Sequence, residues 1–416
     1  MSVSIDTKPA TIPDAVAALA SKTASLGDLR VILFGAGRVG MLTLDACRDA
    51  GVRVLSVADN DSQLWGRKIN GAELLPPAEA LKRYPDALVV VSVQEPRAAA
   101  AIRQQLAEMG VERVSNDRWF LLPCDAETAA RLDAVWADEV SRRECLAQLN
   151  LRLGFEDMPP HLPPDDIYFP VDLFRLHDHE VFTDLGAYDG DTFLEFRKRV
   201  HGFAAYCGFE PDPHTFERLR RHLEHYPKDW PKLHVWNMAI GEDPGFVWFR
   251  AAGDVGSRIE DTGDSQVSCD RLDNIQFESP PTLVKLDIEG SELSALKSGE
   301  RLIREHRPIL AVCLYHKPQD LWEIPLWIAG LGVGYRIYLR RYGPADTELV
   351  CYAVPEERGR NGCEGDQEST GEWRMSDDTN TVVIEALKEA TNELLSEVDE
   401  LLEMMAVLEE RKESGR

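Results

Sequence analysis

The chain has 416 residues, of which 44% are hydrophobic, and a formal net charge of −26. That length suggests two or three domains, and the apolar content allows a full core. The acidity argues against sequence-independent binding to nucleic acid, because phosphate contacts need Lys and Arg.

Other broad features narrow the class further. No apolar run reaches the roughly 18 residues of a membrane-spanning helix. The opening stretch MSVSIDTKPATIPDAV lacks the charged-then-apolar pattern of a secretory signal. Eight cysteines are scattered without a CxxC pair, which reads as reduced thiols in a cytoplasmic protein with no zinc site.

Residues 1–27 read as an N-terminal tail. From 28 to 122 the pattern is that of a small α/β unit. An apolar strand, Val31 to Phe34, runs into Gly35-Ala36-Gly37-Arg38-Val39-Gly40. A helix and a second strand ending at Asp59 follow. This is a G-x-G-x-x-G between strand and helix, with an acid at the distance a dinucleotide ribose requires. A further strand in DALVVVSV, a helix from residue 95 to 109 and a last strand near 113 complete what looks like half of a doubly wound fold.

Residues 123–165 form a helical connector. Its apolar positions are Leu132, Val135, Trp136, Val140, Leu146 and Leu149, and MPPHLPPDD breaks it because proline disfavours helix in the residue before it. From 166 to 355 strands and helices alternate, which predicts a parallel sheet covered on both faces. Two last strand-like runs, GYRIYLRR and ELVCYAVP, are joined by a turn of hairpin length. Between the third and fourth strands, residues 245–274 do not alternate and read as a strand pair with a mobile loop.

Residues 356–380 are polar and read as a linker. Beyond them, Ile384, Leu387, Thr391, Leu394, Val398, Leu401, Met405 and Leu408 are spaced alternately three and four apart. Over 381–412 this is a heptad register that suits a self-associating coiled coil, or else one amphipathic helix docking on its own core.

The stretch VFTDLGAYDGDTFLEF, residues 181–196, crowds acids and glycines into a strand–helix seam. In a parallel sheet that seam lies where ligands bind. Carboxylates beside it are wrong for a phosphate, which wants amide donors. They suit a ligand with a cationic end and hydroxyls, such as S-adenosylmethionine. Glu210, ending the next strand in GFEPD, is placed to accept two ribose hydroxyls, each such bond contributing ~1.5–3 kcal/mol. Asp287 and Glu289 at the end of the fourth strand, and His316 in LYHK, are candidates for taking a proton from an alcohol acceptor. No third metal ligand stands near Asp287 and Glu289 at short spacing, so no metal is expected. His177 and His179 read as a solvated pair.

In order, DLGAYDGDT, FEPD, WNMAIG, VKLDIEGSELSALKSG and RPILAVCLYHKPQDLWEIP resemble the FkbM family of S-adenosylmethionine-dependent methyltransferases, over about residues 130–355. The resemblance implies a class I, Rossmann-like methyltransferase sheet with an antiparallel C-terminal hairpin. It implies a cofactor loop of Asp184, Gly186, Ala187, Tyr188, Asp189, Gly190, Asp191 and Thr192. Glu210, Pro211 and Asp212 would lie at the ribose, Asn237, Met238 and Ala239 at the adenine, and Asp287 beside the methyl group. It further implies O-methylation of a saccharide, glycan or related natural product. The first domain resembles the small Rossmann-like domain of bacterial sugar-modifying enzymes. There Gly35, Gly37, Gly40 and Asp59 would form a second nucleotide site, for a nucleotide-sugar or for NAD, unless the domain is purely structural. The competing expectation is a nucleotide-sensing scaffold with an idle methyltransferase fold. The enzyme reading is preferred because an idle site has no need of Asp184, Gly186, Glu210 and Asp287 together.

Overall fold

The structure, a computed structural model, describes residues 7–24, 30–49, 51–69, 71–93, 96–116, 125–153, 155, 157–226, 231–250, 258–259, 265–344 and 347–359. These fall within one compact unit, Met1–Cys363. The predicted coiled coil at 381–412 and most of the linker lie outside the described residues.

The N-terminal part holds α1 (Ile12–Ala24), β1 (Arg30–Phe34), α2 (Arg38–Asp49), β2 (Arg53–Ala58), β3 (Lys68–Ile69), β4 (Ala72–Leu75), α3 (Pro77–Arg83), β5 (Leu88–Val91), α4 (Pro96–Glu108) and β6 (Val114–Asn116). Its six-stranded sheet has the order β3-β4-β2-β1-β5-β6 and is parallel except at β3. Alternate residues of β1 serve two cores. Val31 and Leu33 join Leu44 and Cys47, whereas Ile32 and Phe34 join Ala80, Ile102 and Leu106. Burial on both faces explains why these strands read as continuous apolar runs.

The expected tail is not one. Ile12, Ala15, Val16 and Leu19 of α1 are buried in the main core, and the helix packs on the connector. Their spacing of three, one and three residues is one helical stripe. It was hidden by the polar, Pro-containing residues before it.

The connector also departs from expectation, as two helices, α5 (Ala126–Val135) and α6 (Glu139–Leu153). The pattern breaks at Trp136, which leaves the helix in an extended conformation and bridges to Ile337. Asp138 then starts a new helix by accepting from the Ser141 amide at 2.8 Å, as an N-cap does. Val140, expected to be apolar-facing, is 53% exposed.

The larger sheet is built from β7 (Val181–Leu185), α7 (Asp191–Arg199), β8 (Ala205–Phe209), α8 (Pro213–Glu224) and β9 (Lys232–Trp236). A side layer follows, of β10 (Ala239–Ile240), β11 (Gly245–Arg250), β12 (Arg258–Ile259) and β13 (Ser265–Asp270). Then come β14 (Leu283–Leu286), α9 (Glu292–Ser298), α10 (Glu300–His306), β15 (Ile309–Cys313), α11 (Asp320–Gly330), β16 (Tyr335–Arg341) and β17 (Leu349–Pro355). The seven-stranded order is β16-β17-β15-β14-β7-β8-β9, parallel except that β17 opposes both neighbours. This is the mixed α/β sheet with a C-terminal hairpin expected of a class I methyltransferase. The non-alternating stretch forms a separate four-stranded sheet, β10-β13-β11-β12. The mobile loop expected inside it, at 251–257 and 260–264, lies outside the described residues.

Order reverses around β7, which has β8 on one side and β14 on the other. The crevice above the carboxyl ends of β7 and β14 is therefore where such a sheet takes a ligand. Arg340 of β16 pairs with Asp138 and Asp172, and Arg341 with Glu144 of α6. These charges fasten the connector across the hairpin edge.

Candidate functional site

The loop after β7 presses against the segment after β14. A Cβ at Gly186, whose φ is +84°, would stand 1.9 Å from the Asp287 carbonyl oxygen. Only glycine fits there. Thus the loop meant for the cofactor and the acid meant for the acceptor share one wall.

Asp184 lies below that wall. It is fully buried, with its Oδ1 3.0 Å from the Lys285 ammonium and its Oδ2 accepting from the Tyr206 hydroxyl at 3.1 Å. Lys285 also donates to the Gly186 carbonyl at 2.7 Å. Burial pushes the Asp184 carboxyl up to about 6, with the ammonium pulling it back. Burial alone would lower Lys285, but Asp184 and Asp287 hold it above the ordinary range. Asp184, expected to touch the cofactor, instead braces the loop from beneath. Lys285 was a legible signal, since a lone cation inside an apolar strand needs a buried partner.

Glu210 closes the other side. Its carboxylate accepts from the Tyr188 amide at 3.0 Å and the Asp212 amide at 2.8 Å. Burial pushes it up to about 7 despite those bonds. Asn237 donates to the carbonyls of Glu210 and Pro211 at 2.9 and 3.0 Å, tying the loops after β8 and β9 together. Asp212 is fully buried and caps α8 through the His214 and Thr215 amides. Ala187, Thr192 and Ala239 are buried, so these residues and Asp212 shape the cradle from behind. Tyr188, with φ of +48°, Asp189 and Met238 are partly exposed, Asp191 is exposed, and Gly190 takes φ of +95° at the start of α7.

Asp287, Glu289 and His316 come together as expected. His316 Nε2 is 3.4 Å from Asp287 Oδ1 and 3.8 Å from Glu289 Oε2. Its Nδ1 is 2.7 Å from Glu292 Oε1, which also accepts from the Ile288 and Gly290 amides. Glu292 thus does more than start a helix: it fixes the imidazole. Tyr168 donates to Asp287 Oδ2 at 2.8 Å and Tyr315 to Oδ1 at 3.3 Å. Burial opposes charge on Asp287, yet Lys285, His316 and Tyr168 keep it below the usual carboxylate range. For His316 burial pulls downward, but Glu292, Asp287 and Glu289 together push it up to about 9. These acids favour the charged form of the imidazole. The two tyrosines were not foreseen, and nothing in DDIYFP or VCLYHK marks them as facing Asp287.

In the smaller sheet order reverses around β1, which lies between β2 and β5. A Cβ at Gly40 would stand 1.8 Å from the Gly35 carbonyl oxygen, so the helix rests directly on the loop, while one at Gly37 would meet nothing within 4 Å. Asp59 accepts from the Ala36 amide at 2.7 Å and the Asp61 amide at 2.8 Å. His177 and His179 are exposed.

Comparison with known proteins follows this division. Residues 184–343 match the methyltransferase FkbM domain, and residues 27–115 match a domain described as C2185-like, N-terminal. A search of curated proteins gives no match. Among solved structures, a methyltransferase FkbM from Methylobacillus flagellatus KT is similar at 22% identity and a TM-score of 0.53. The match covers 82% of this chain and 98% of that one, and it shows a shared fold. An rRNA methylase from Streptococcus thermophilus (12% identity, TM-score 0.29, 44% of this chain and 90% of that one) is too distant to bear on function. The same holds for a UDP-D-quinovosamine 4-dehydrogenase from Vibrio fischeri (18%, 0.18, 21% and 75%).

Proposed function

We propose that this chain, an S-adenosylmethionine-dependent methyltransferase with an FkbM-type domain, methylates a hydroxyl of a saccharide, glycan or related natural product. The observation that carries the reading is the shared wall at Gly186 and Asp287, which sets the cofactor loop against a group of ionisable side chains. The residues present suit the cofactor. Glu210 keeps acceptor capacity beside its two amide bonds, since a carboxylate offers about four lone-pair sites. Asp189 and Asp191 offer carboxylates to a cationic end.

S-adenosylmethionine supplies an electrophilic methyl group on a sulfonium. The acceptor oxygen would take that methyl group, the carbon–sulfur electron pair staying on sulfur. The oxygen's proton passes to the Asp287–Glu289 carboxylates, and Tyr168 and Tyr315 fix the rotamer of Asp287. Holding the oxygen ~3–3.5 Å from the methyl carbon supplies most of the rate. The same carboxylates repel a phosphate or carboxylate acceptor, which favours a neutral hydroxyl compound. Asp287→Asn should leave cofactor affinity within a few fold while depressing turnover. Methyl incorporation into a panel of neutral saccharides tests both points. Incorporation only into anionic acceptors, or equal loss of binding and turnover, overturns the reading.

The crevice between β1 and β5 is proposed to bind a nucleotide or nucleotide-sugar. Support comes from the switch in strand order and the open space at Gly37. Calorimetry with UDP-sugars and with NADH separates these ligands from a purely structural domain, and Asp59→Ala should abolish binding of whichever ligand enters.

A further inference from the structure

We infer that Asp287, Glu289 and the Nε2 nitrogen of His316 form a binding site for a divalent cation of the Mg²⁺ or Mn²⁺ kind. The inference deepens the O-methylation reading and rests on it only for the cation's part in the reaction.

Three observations converge. Asp287 Oδ1 and Glu289 Oε2 stand 3.4 and 3.8 Å from His316 Nε2, at the front of a cluster in which Asp287, Glu292 and His316 offer ligand atoms within 4.8 Å of one another. Glu289, in the turn between them, adds a further carboxylate. A cluster of acids alone is often merely solvated, but here a buried nitrogen points into it. The His316 side chain is 0% exposed, and its Nε2 has no hydrogen-bond partner. The nearest oxygens, at 3.4 and 3.8 Å, lie beyond hydrogen-bond range. A buried polar atom left without a partner is unfavourable, and a cation between the three groups would satisfy it.

The arrangement also assigns roles. Glu292 Oε1 is engaged with Nδ1 and two backbone amides, so it lies behind the ring. That is the carboxylate–histidine–metal pattern in which the outer acid fixes tautomer and ring orientation. Ligand positions then face forward from Nε2. Two carboxylates and one imidazole form an oxygen-rich set that suits Mn²⁺ or Mg²⁺, and both ions keep water or substrate among their ligands. The turn carries strain in keeping with a placed ligand, since Glu289 adopts φ of +56°, uncommon outside glycine. Sequence spacing could not reveal the set. His316 is 29 residues beyond Asp287, and only the parallel pairing of β14 with β15 brings the two together.

A cation here would hold the acceptor hydroxyl and lower its pKa.

The test uses the full chain and Mn²⁺ alone, followed by electron paramagnetic resonance and calorimetry. The expected result is one saturable Mn²⁺ per chain, displaced by Mg²⁺. Glu289→Gln and His316→Gln should each weaken it at least about tenfold. Glu289 is partly exposed, so its variant should fold even if the His316 variant does not; circular dichroism checks both. Absence of saturable binding, or binding that both folded variants retain, overturns the site. Hydroxyl methylation that continues undiminished after complete chelation also overturns it while leaving the O-methylation reading intact. Mn²⁺ binding without methylation of any hydroxyl acceptor supports the site and sinks that reading instead.

Discussion

Burial pushes the Glu210 carboxyl up to about 7, while the amides of Asp212 and Tyr188 pull it back. A carboxylate that accepts ribose hydroxyls near a sulfonium binds best when ionised. Affinity for S-adenosylmethionine should therefore rise as pH climbs through about 7 and then level off, with a proton released on binding. Stability has the opposite sign. The folded value exceeds the ordinary 4.5, so protonated Glu210 favours the fold at low pH, and that contribution is lost as pH rises from 4.5 to about 7. Glu210→Gln should flatten the affinity profile, and Glu210→Ala should weaken binding by about 2 kcal/mol. Calorimetry across that range checks both; a Gln variant with the same slope would remove Glu210 from the site. The Asp184–Lys285 pair makes a different prediction. Lys285→Met leaves a buried carboxylate without its partner, and such losses cost about 3–5 kcal/mol, measurable by urea unfolding. Glu210 was legible because the continuous buried run of β8 stops just before it. The bracing role of Asp184 was not legible, because sequence does not reveal whether an acid at a strand end faces the crevice or the Lys285 ammonium beneath it.

At the scale of elements, continuous apolar runs located the strands of the seven-stranded sheet and four of the six in the smaller one, but missed β3 and β4. They failed where local capping overrides periodicity. The connector over 123–165 was expected to be helical, and Asp138 begins a second helix within it. Residues 1–27 were expected to be a tail, yet α1 packs on both connector helices. Leu19, fully buried there, tests its importance. Leu19→Ala should cost about 2–5 kcal/mol, read as a lower urea midpoint with an unchanged slope. A cost near zero would make α1 dispensable, as a tail would be. Short strands such as β3, two residues long, carry too little pattern for any periodicity to register. The smaller sheet belongs to the same compact unit as the methyltransferase sheet, and buried residues of both join α1, α5 and α6 in one core.

At the scale of the whole molecule, charge and the heptad stripe bear on any self-association. Among the described residues no helix is long and apolar enough to cross a membrane. Residues 356–416 hold eighteen Asp and Glu against seven Lys and Arg, so any association there must form despite net repulsion. The seam itself is uncharged: Ile384, Thr391 and Val398 are β-branched a positions, and Leu387, Leu394, Leu401 and Leu408 are the d positions. That combination favours two parallel strands. Leu395, Leu402 and Met404 widen the stripe beyond a and d, and a wider stripe suits a trimer or tetramer. Thr391 lowers stability at its layer but penalises shifted registers that would set it against a leucine. Glu385, Glu393, Asp399, Glu400 and Glu403 fall outside the seam and stay solvated, so repulsion between chains should be screened at ordinary ionic strength, where the Debye length is about 8 Å. We therefore propose a homo-oligomer held by residues 381–412. The full chain should sediment as that oligomer, more weakly at low salt. A chain ending at residue 380 should sediment as a monomer that still binds S-adenosylmethionine. Equal chain numbers in the two species would instead make the segment an intramolecular strap against its own catalytic unit.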